Sequence, residues 1–221
     1  MIQIDFNDFE LNWLGHAGFV IYDKRSGYRT YIDPFQIPNN AKLADFILIT
    51  HSHYDHLSIE DIKKISKPET IIIAPVDCQS KFQGKIEARD IKIITPGQVI
   101  DFYKEGLNVT AIKSYNTDKQ FHPVGNDWVG YILKIQDKII YHAGDADIIP
   151  EMTNLRDIDV ALVPVSGKFV MDPQEAATAV NQFRPKLAIP MHYGSIVGTQ
   201  DDAIKFKELA QVPVEILEKQ S

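Results

Sequence analysis

Residues 46–57 read Phe46-Ile47-Leu48-Ile49-Thr50-His51-Ser52-His53-Tyr54-Asp55-His56-Leu57, and the reading of the chain turns on them. Phe46–Thr50 is a short, unbroken apolar run, the pattern of a strand buried on both faces. Ser58, with Asp61 three residues on, predicts a helix start with a capping box. Between strand and helix, three histidines and an aspartate fall within six residues. Imidazole nitrogen and carboxylate oxygen are donors that a borderline divalent metal accepts, at about 2.0–2.2 Å. A loop that already gathers four of them needs little chain closure to build a cage. His51 and His53 can turn toward one ion, and Asp55 and His56 toward a second. The bland alternative is a solvated polar loop. It leaves unexplained why three rings that repel one another when protonated are crowded together.

Working outward, strand-length runs recur on both sides. Leu11–Leu14, Phe19–Tyr22 and Tyr28–Ile32 read as a meander punctuated by glycines, and Thr70–Ala74 as a β-branched strand before a helix near Asp77–Phe82. From Ile86 to Ile135 short strands alternate with turns, Val109–Lys113 and Trp128–Ile135 being the clearest. Lys138–Tyr141, Val160–Val165, Leu187–Met191 and Val214–Leu217 read as further strands. Asp172-Pro173-x-Glu175 predicts a sharply started helix to about Phe183, with an Asp cap, Pro in the first turn and Glu at the third position. A last helix is expected over about Asp201–Leu209. This order suits two stacked sheets with helices on their outer faces. A single doubly wound sheet competes, but the antiparallel middle fits it poorly.

Four donors do not complete two metal sites, and the sequence offers more at other strand ends. Asp145 ends the run Lys138–Tyr141 plus His142-Ala143-Gly144, and His192 ends Leu187–Met191. Both stand where strands open toward solvent and ligands bind. A carboxylate such as Asp145 can bridge two cations, which an imidazole nitrogen cannot. Asp33, before Pro34 at another strand end, can accept the second ring N–H of a ligating histidine; the alternative is a turn-initiating Asp. His142 is expected to serve as a hydrogen-bonding group rather than a ligand. His16, on the turn Gly15-His16-Ala17-Gly18, reads from its position as a turn histidine bonded to backbone. Lys119 and Lys168 are read as solvated loop lysines, and Trp128 and Tyr131 as core.

Composition narrows the class. With 221 residues, 44% of them apolar and 24% charged, the chain can bury a full core, and one domain over residues 1–221 is the expectation. No run approaches the roughly 18 apolar residues of a membrane span, and no secretory pattern is visible, which reads as a cytoplasmic protein. A net charge of −7 disfavours a nucleic-acid partner, though not a small anionic substrate met by a metal and a lysine or two. The single cysteine, Cys78, excludes an internal disulfide or cysteine zinc finger and reads as a small buried side chain. Homo-oligomerisation is left open.

Taken together, Trp13–Ile21 (WLGHAGFVI), Ile32-Asp33-Pro34, HSHYDH at 51–56, HAGDAD at 142–147 and PMHYG at 190–194 resemble the metallo-β-lactamase superfamily. They are most similar to its small bacterial metal-dependent hydrolases related to the ascorbate-6-phosphate lactonases. The resemblance covers nearly the whole chain, in order. It implies an α+β fold, a four-layered αββα sandwich of two mixed sheets, with a metal site at one edge of the paired sheets. It implies His51, His53, Asp55, His56, Asp145 and His192 as ligands and Asp33 as their support, and it suggests a place for His16 beside the site as an equal alternative to the plain turn reading. The sequence departs from the family at Ser114-Tyr115-Asn116-Thr117, where Asn116 stands in place of a further histidine ligand. His122 is the nearest substitute, either as ligand or as a residue that contacts substrate.

The chemistry expected is hydrolysis of an ester, lactone, amide or phosphoester in a small substrate by metal-activated water, with Asp55 and His122 as catalytic residues. One or two divalent ions are expected: zinc first, with manganese, nickel or iron as alternatives. No G-x-S-x-G nucleophile motif is present. The competing functions are a metal-dependent phosphodiesterase or nuclease, an iron-dependent redox enzyme in the same cage, and a non-catalytic module with a structural metal.

Overall fold

A computed structural model describes residues 4–6 and 8–220. The chain divides into two units: one runs to Ile94 and takes in the segment from Leu217, and the other is Thr95–Ile216.

In the first unit the elements follow as β1 (Ile4–Asp5), β2 (Phe9–Gly15), β3 (Gly18–Asp23), β4 (Arg29–Ile32), β5 (Phe46–Leu48), α1 (Ile59–Ile65) and β6 (Ile71–Ala74). A 3₁₀ turn at Val76–Cys78 then runs into α2 (Gln79–Phe82), and β7 (Asp90–Ile93) closes the series. The strands form one seven-stranded sheet in sequence order. Tight turns make β1 to β4 antiparallel, whereas longer crossovers make β4 to β7 parallel. One sheet face presents Leu14, Val20, Tyr31, Ile47, Ile49, Ile72 and Ala74 to Ile62 and Ile65 of α1 and to Phe82. The alternate residues, among them Phe19, Ile21, Ile32, Leu48 and Ile73, are at most 1% exposed, so the FILIT strand is buried on both faces as its composition requires. Each such side chain contributes about 1.5–3 kcal/mol by leaving water. Cys78 lies in this core, where burial pushes its thiol well above the ordinary range and leaves it inert.

In the second unit, β8 (Val99–Phe102), β9 (Leu107–Lys113), β10 (Val129–Ile135) and β11 (Lys138–His142) form an antiparallel meander. After α3 (Pro150–Thr153) come β12 (Val160–Pro164), α4 (Pro173–Phe183), β13 (Leu187–Met191) and α5 (Gln200–Leu209). β11, β12 and β13 are parallel, completing a six-stranded sheet. Asp172 starts α4 through a full capping box: its carboxylate accepts from the Glu175 N–H at 2.8 Å while Glu175 accepts from the Asp172 N–H at 2.8 Å.

Two mixed sheets with flanking helices make this an α+β protein and exclude the single doubly wound sheet. Three local readings need correction. Val214–Leu217 is no strand: only Val214 bridges Ala188, because the chain then leaves the edge of β13. Ser58 caps α1 through the Asp61 N–H, but the Asp61 carboxylate accepts from the Ser58 hydroxyl at 2.7 Å, from the Gln36 and Ile37 N–H groups and from Lys64 instead of reaching back to the Ser58 backbone N–H. The short helix α3 was not anticipated. Among the described residues no helix is long and apolar enough to cross a membrane.

Candidate functional site

The first unit gathers the 51–56 loop at the end of β5. Parallel pairing of β4 with β5 sets Ile32 beside Leu48, which brings Asp33 next to Thr50. Asp33 takes a left-handed φ of 44° to reach it. Its Oδ1 accepts from the Thr50 N–H at 2.8 Å and its Oδ2 from the Thr50 hydroxyl at 2.6 Å. The His56 Nδ1–H donates to the same Oδ2 at 2.7 Å, with both side chains fully buried. Because the Thr50 proton is committed to Asp33, Thr50 Oγ1 accepts from His51 Nδ1 at 3.0 Å. The network therefore places the ring proton of His51 and of His56 on Nδ1, leaving Nε2 with its lone pair. His51 Nε2 stands 3.0 Å from His53 Nδ1, and His56 Nε2 stands 3.9 Å from Asp55 Oδ2. The loop is closed by the His56 and Leu57 N–H groups on the His53 carbonyl, and Lys81 donates to the Ser52 carbonyl.

His16 belongs to this cluster. It sits between β2 and β3 with φ 51°, and its Nε2 lies 3.0 Å from Asp55 Oδ2. Its position on a hairpin turn was legible in the sequence, but its approach to a residue 39 positions away was not.

The second unit builds its own cluster at the ends of β11 and β13. Asp145 Oδ2 lies 3.0 Å from His192 Nε2 and 3.2 Å from His122 Nε2, with all three side chains at most 3% exposed. His192 stands on left-handed backbone with φ 62° and shares a 3.0 Å hydrogen bond between its Nδ1 and Ser166 Oγ. Asn116 organises His122: its Oδ1 accepts from the His122 N–H at 3.1 Å and from Nδ1 at 2.9 Å. The Asn116 amide donates to the Phe169 carbonyl at 3.0 Å, which also lies 3.2 Å from His122 Nδ1. The Nδ1 proton is thus held by oxygen, and the Nε2 lone pair faces Asp145. Asn116 holds the histidine that comes nearest to taking over its place in the family pattern.

Gly144, at φ 64°, makes the approach to Asp145 possible, since a Cβ there would come within 2.8 Å of Ser114 Oγ. His142 is fully buried, and its Nδ1 accepts from the Gly144 N–H at 3.1 Å. Lys119 is not a solvated loop lysine. It pairs with Asp147 at 2.6 Å and Asp118 at 3.0 Å, and although burial works the other way, these carboxylates hold its amine above the ordinary range. Lys168 is exposed, 5.0 Å over the Phe169 ring. Trp128 and Tyr131 are core, at 7% and 0% exposed.

These donor sets suit a divalent cation. Lone pairs and carboxylate oxygens at 3.0–3.2 Å repel unless positive charge lies among them. Two donors each about 2.1 Å from one ion stand about 3.0–3.4 Å apart at octahedral or tetrahedral angles. Nδ1 atoms anchored on protein oxygen are the usual support of Nε2 ligation.

Fold and donor set together define a metal-dependent hydrolase. Residues 10–192 match the β-lactamase superfamily domain family. A UPF0173 metal-dependent hydrolase of Methanopyrus kandleri is 32% identical over 213 residues, 89% of each chain. Another, of Thermococcus kodakarensis, is 32% identical over 224 residues, 94% of this chain and 95% of its own. The crystal structure of a candidate metal-dependent hydrolase from Parabacteroides distasonis superposes with a TM-score of 0.85 at 28% identity, over 99% of this chain and 98% of that one. The chain belongs to the metallo-β-lactamase superfamily and, within it, to the UPF0173 metal-dependent hydrolases.

Proposed function

We propose that His51, His53, Asp55, His56, Asp145 and His192 hold one or two divalent ions, zinc first and manganese, nickel or iron as alternatives. The reaction proposed is hydrolysis of an ester, lactone, amide or phosphoester bond in a small anionic substrate. The observation that carries this reading is shared by four rings. His51, His56, His122 and His192 each have Nδ1 on a protein oxygen, with Nε2 directed at another donor atom. Bound by those atoms, the ion supplies Lewis acidity and brings the pKa of water toward about 7. Asp55 orients the attacking water and takes its proton. His122, steadied by Asn116 with its Nε2 lone pair toward Asp145, serves either as a further ligand or as an acceptor that contacts substrate. Asp33 keeps His56 in the ligating tautomer. Phe121 is 49% exposed and edge-on to Phe169 at 4.5 Å, giving an apolar wall next to His122 in sequence, with Lys168 available to a substrate anion.

The test is elemental analysis of the purified protein together with an Asp145→Ala variant, each assayed on lactones, phosphodiesters and amides. Metal is expected in the parent, with metal content and turnover both lost in the variant. Metal content unchanged by Asp145→Ala would end the assignment of that residue. A metal-replete protein that turns over none of these bonds would end the hydrolytic reading. Visible absorbance with oxygen consumption would favour the iron-dependent redox alternative, and salt-dependent retention on nucleic acid the nuclease.

A further inference from the structure

His16 occupies a place that a turn does not explain. The loop between β2 and β3 has two central residues, and a positive φ at the first of them is a geometry that favours glycine. Gly15 and Gly18 flank it, yet a histidine stands at the strained position itself. Its backbone is secured independently of its ring, because the Trp13 indole N–H donates to the His16 carbonyl at 2.9 Å. The ring is therefore not required to hold the turn. It is 1% exposed and lies edge-on to Phe35 at 5.9 Å and to His56 at 5.5 Å. Its Nε2 reaches Asp55 Oδ2 at 3.0 Å. Asp55 sits on an irregular loop and is 14% exposed, so its carboxylate needs a rigid donor to hold one orientation.

We infer that His16 is a positioning residue for Asp55: its Nε2–H donates to Oδ2 and sets the direction in which the carboxylate faces the metal and the water. This rests on the metal-ligand reading of the 51–56 loop. Ligating carboxylates are commonly held by a hydrogen bond of this kind, and its removal weakens metal binding about 10–100-fold. Here the donor comes from a different hairpin, so the fold of β2 and β3 is coupled directly to the ligand loop.

Two substitutions separate this role from a structural one. His16→Asn tolerates a left-handed φ but is too short to reach Asp55. His16→Gln carries an amide N–H at about the position of the imidazole Nε2. Zinc affinity is measured by chelator competition on the full chain, with the cobalt-substituted visible spectrum and the melting temperature of metal-free protein alongside. His16→Asn is expected to bind zinc about 10–100-fold more weakly, with a shifted cobalt spectrum and a metal-free melting temperature close to the parent's. His16→Gln is expected to restore both affinity and spectrum. Unchanged affinity in His16→Asn overturns the inference. So does a His16→Gln protein as impaired as His16→Asn, which would make the imidazole itself a ligand. So does a loss confined to metal-free stability. A parent chain that takes up no zinc or cobalt would instead sink the metal reading, and this inference with it.

Discussion

Asp33 Oδ2 accepts the His56 Nδ1–H at 2.7 Å between two side chains that are both completely buried, although 23 positions separate them in the chain. The same carboxylate also accepts both donors of Thr50. Removing it with Asp33→Ala strands three buried donors at about 1–3 kcal/mol each, to be read by urea denaturation of metal-free protein. Asp33→Asn keeps the shape and tolerates the left-handed φ, but it turns an amide toward His56 N–H and so favours the wrong tautomer. Zinc affinity is expected to fall about 10–100-fold in Asp33→Asn with a smaller loss of stability. Parental affinity in that variant would show that Asp33 acts on the fold alone.

Acid sensitivity is expected from Asp61. Burial tends to raise its pKa, but hydrogen bonds from Lys64 and Ser58 and from the Gln36 N–H outweigh burial and bring it below the ordinary 3.8. A depressed folded value means that the stabilisation is complete above the unfolded value and is lost as pH falls through the folded one. Stability should therefore decline below about pH 4. Asp61→Asn should cost about 1.5–3 kcal/mol at neutral pH and flatten that decline. An identical acid limb in the variant's denaturation midpoints, plotted against pH, would refute the assignment.

Gly130, on β10 opposite Ile112, lies against the backbone at the end of β11. A Cβ there would meet the His142 carbonyl at 2.7 Å and the Ala143 carbonyl at 2.9 Å, neither of which can swing aside as a side chain could. Gly130→Ala is expected to cost about 1–3 kcal/mol, or about 2–12 °C in melting temperature. Because Asp145 follows that same backbone, zinc content should fall as well. A stable variant with full zinc content would mean that β10 and β11 can separate without disturbing Asp145.

Much of this was legible from short-range pattern. The buried strand Phe46–Leu48, the Asp172–Glu175 capping box and the positions of Asp145 and His192 just past apolar strands are local facts, because periodicity and capping act over a few residues. Lys119 and Asn116 were less readable. Lys119 looked like any loop lysine until its 2.6 Å pairing with Asp147, and Asn116 stood out only as a missing histidine until its carbonyl was found holding His122. Val214–Leu217 misled because an apolar run records burial and not the pairing partner.

Local chemistry alone indicated which residue types could ligate a cation and that they follow strand-like runs, and it favoured two stacked sheets over a single doubly wound one. The three-dimensional arrangement decided which ring nitrogen His51, His56 and His122 keep protonated, and that a histidine from the first hairpin reaches Asp55. The reason is physical: tautomer and orientation are set by hydrogen bonds between residues far apart in sequence. Those bonds exist only once parallel strand register and left-handed turns at His16, Asp33 and His192 have aimed the side chains.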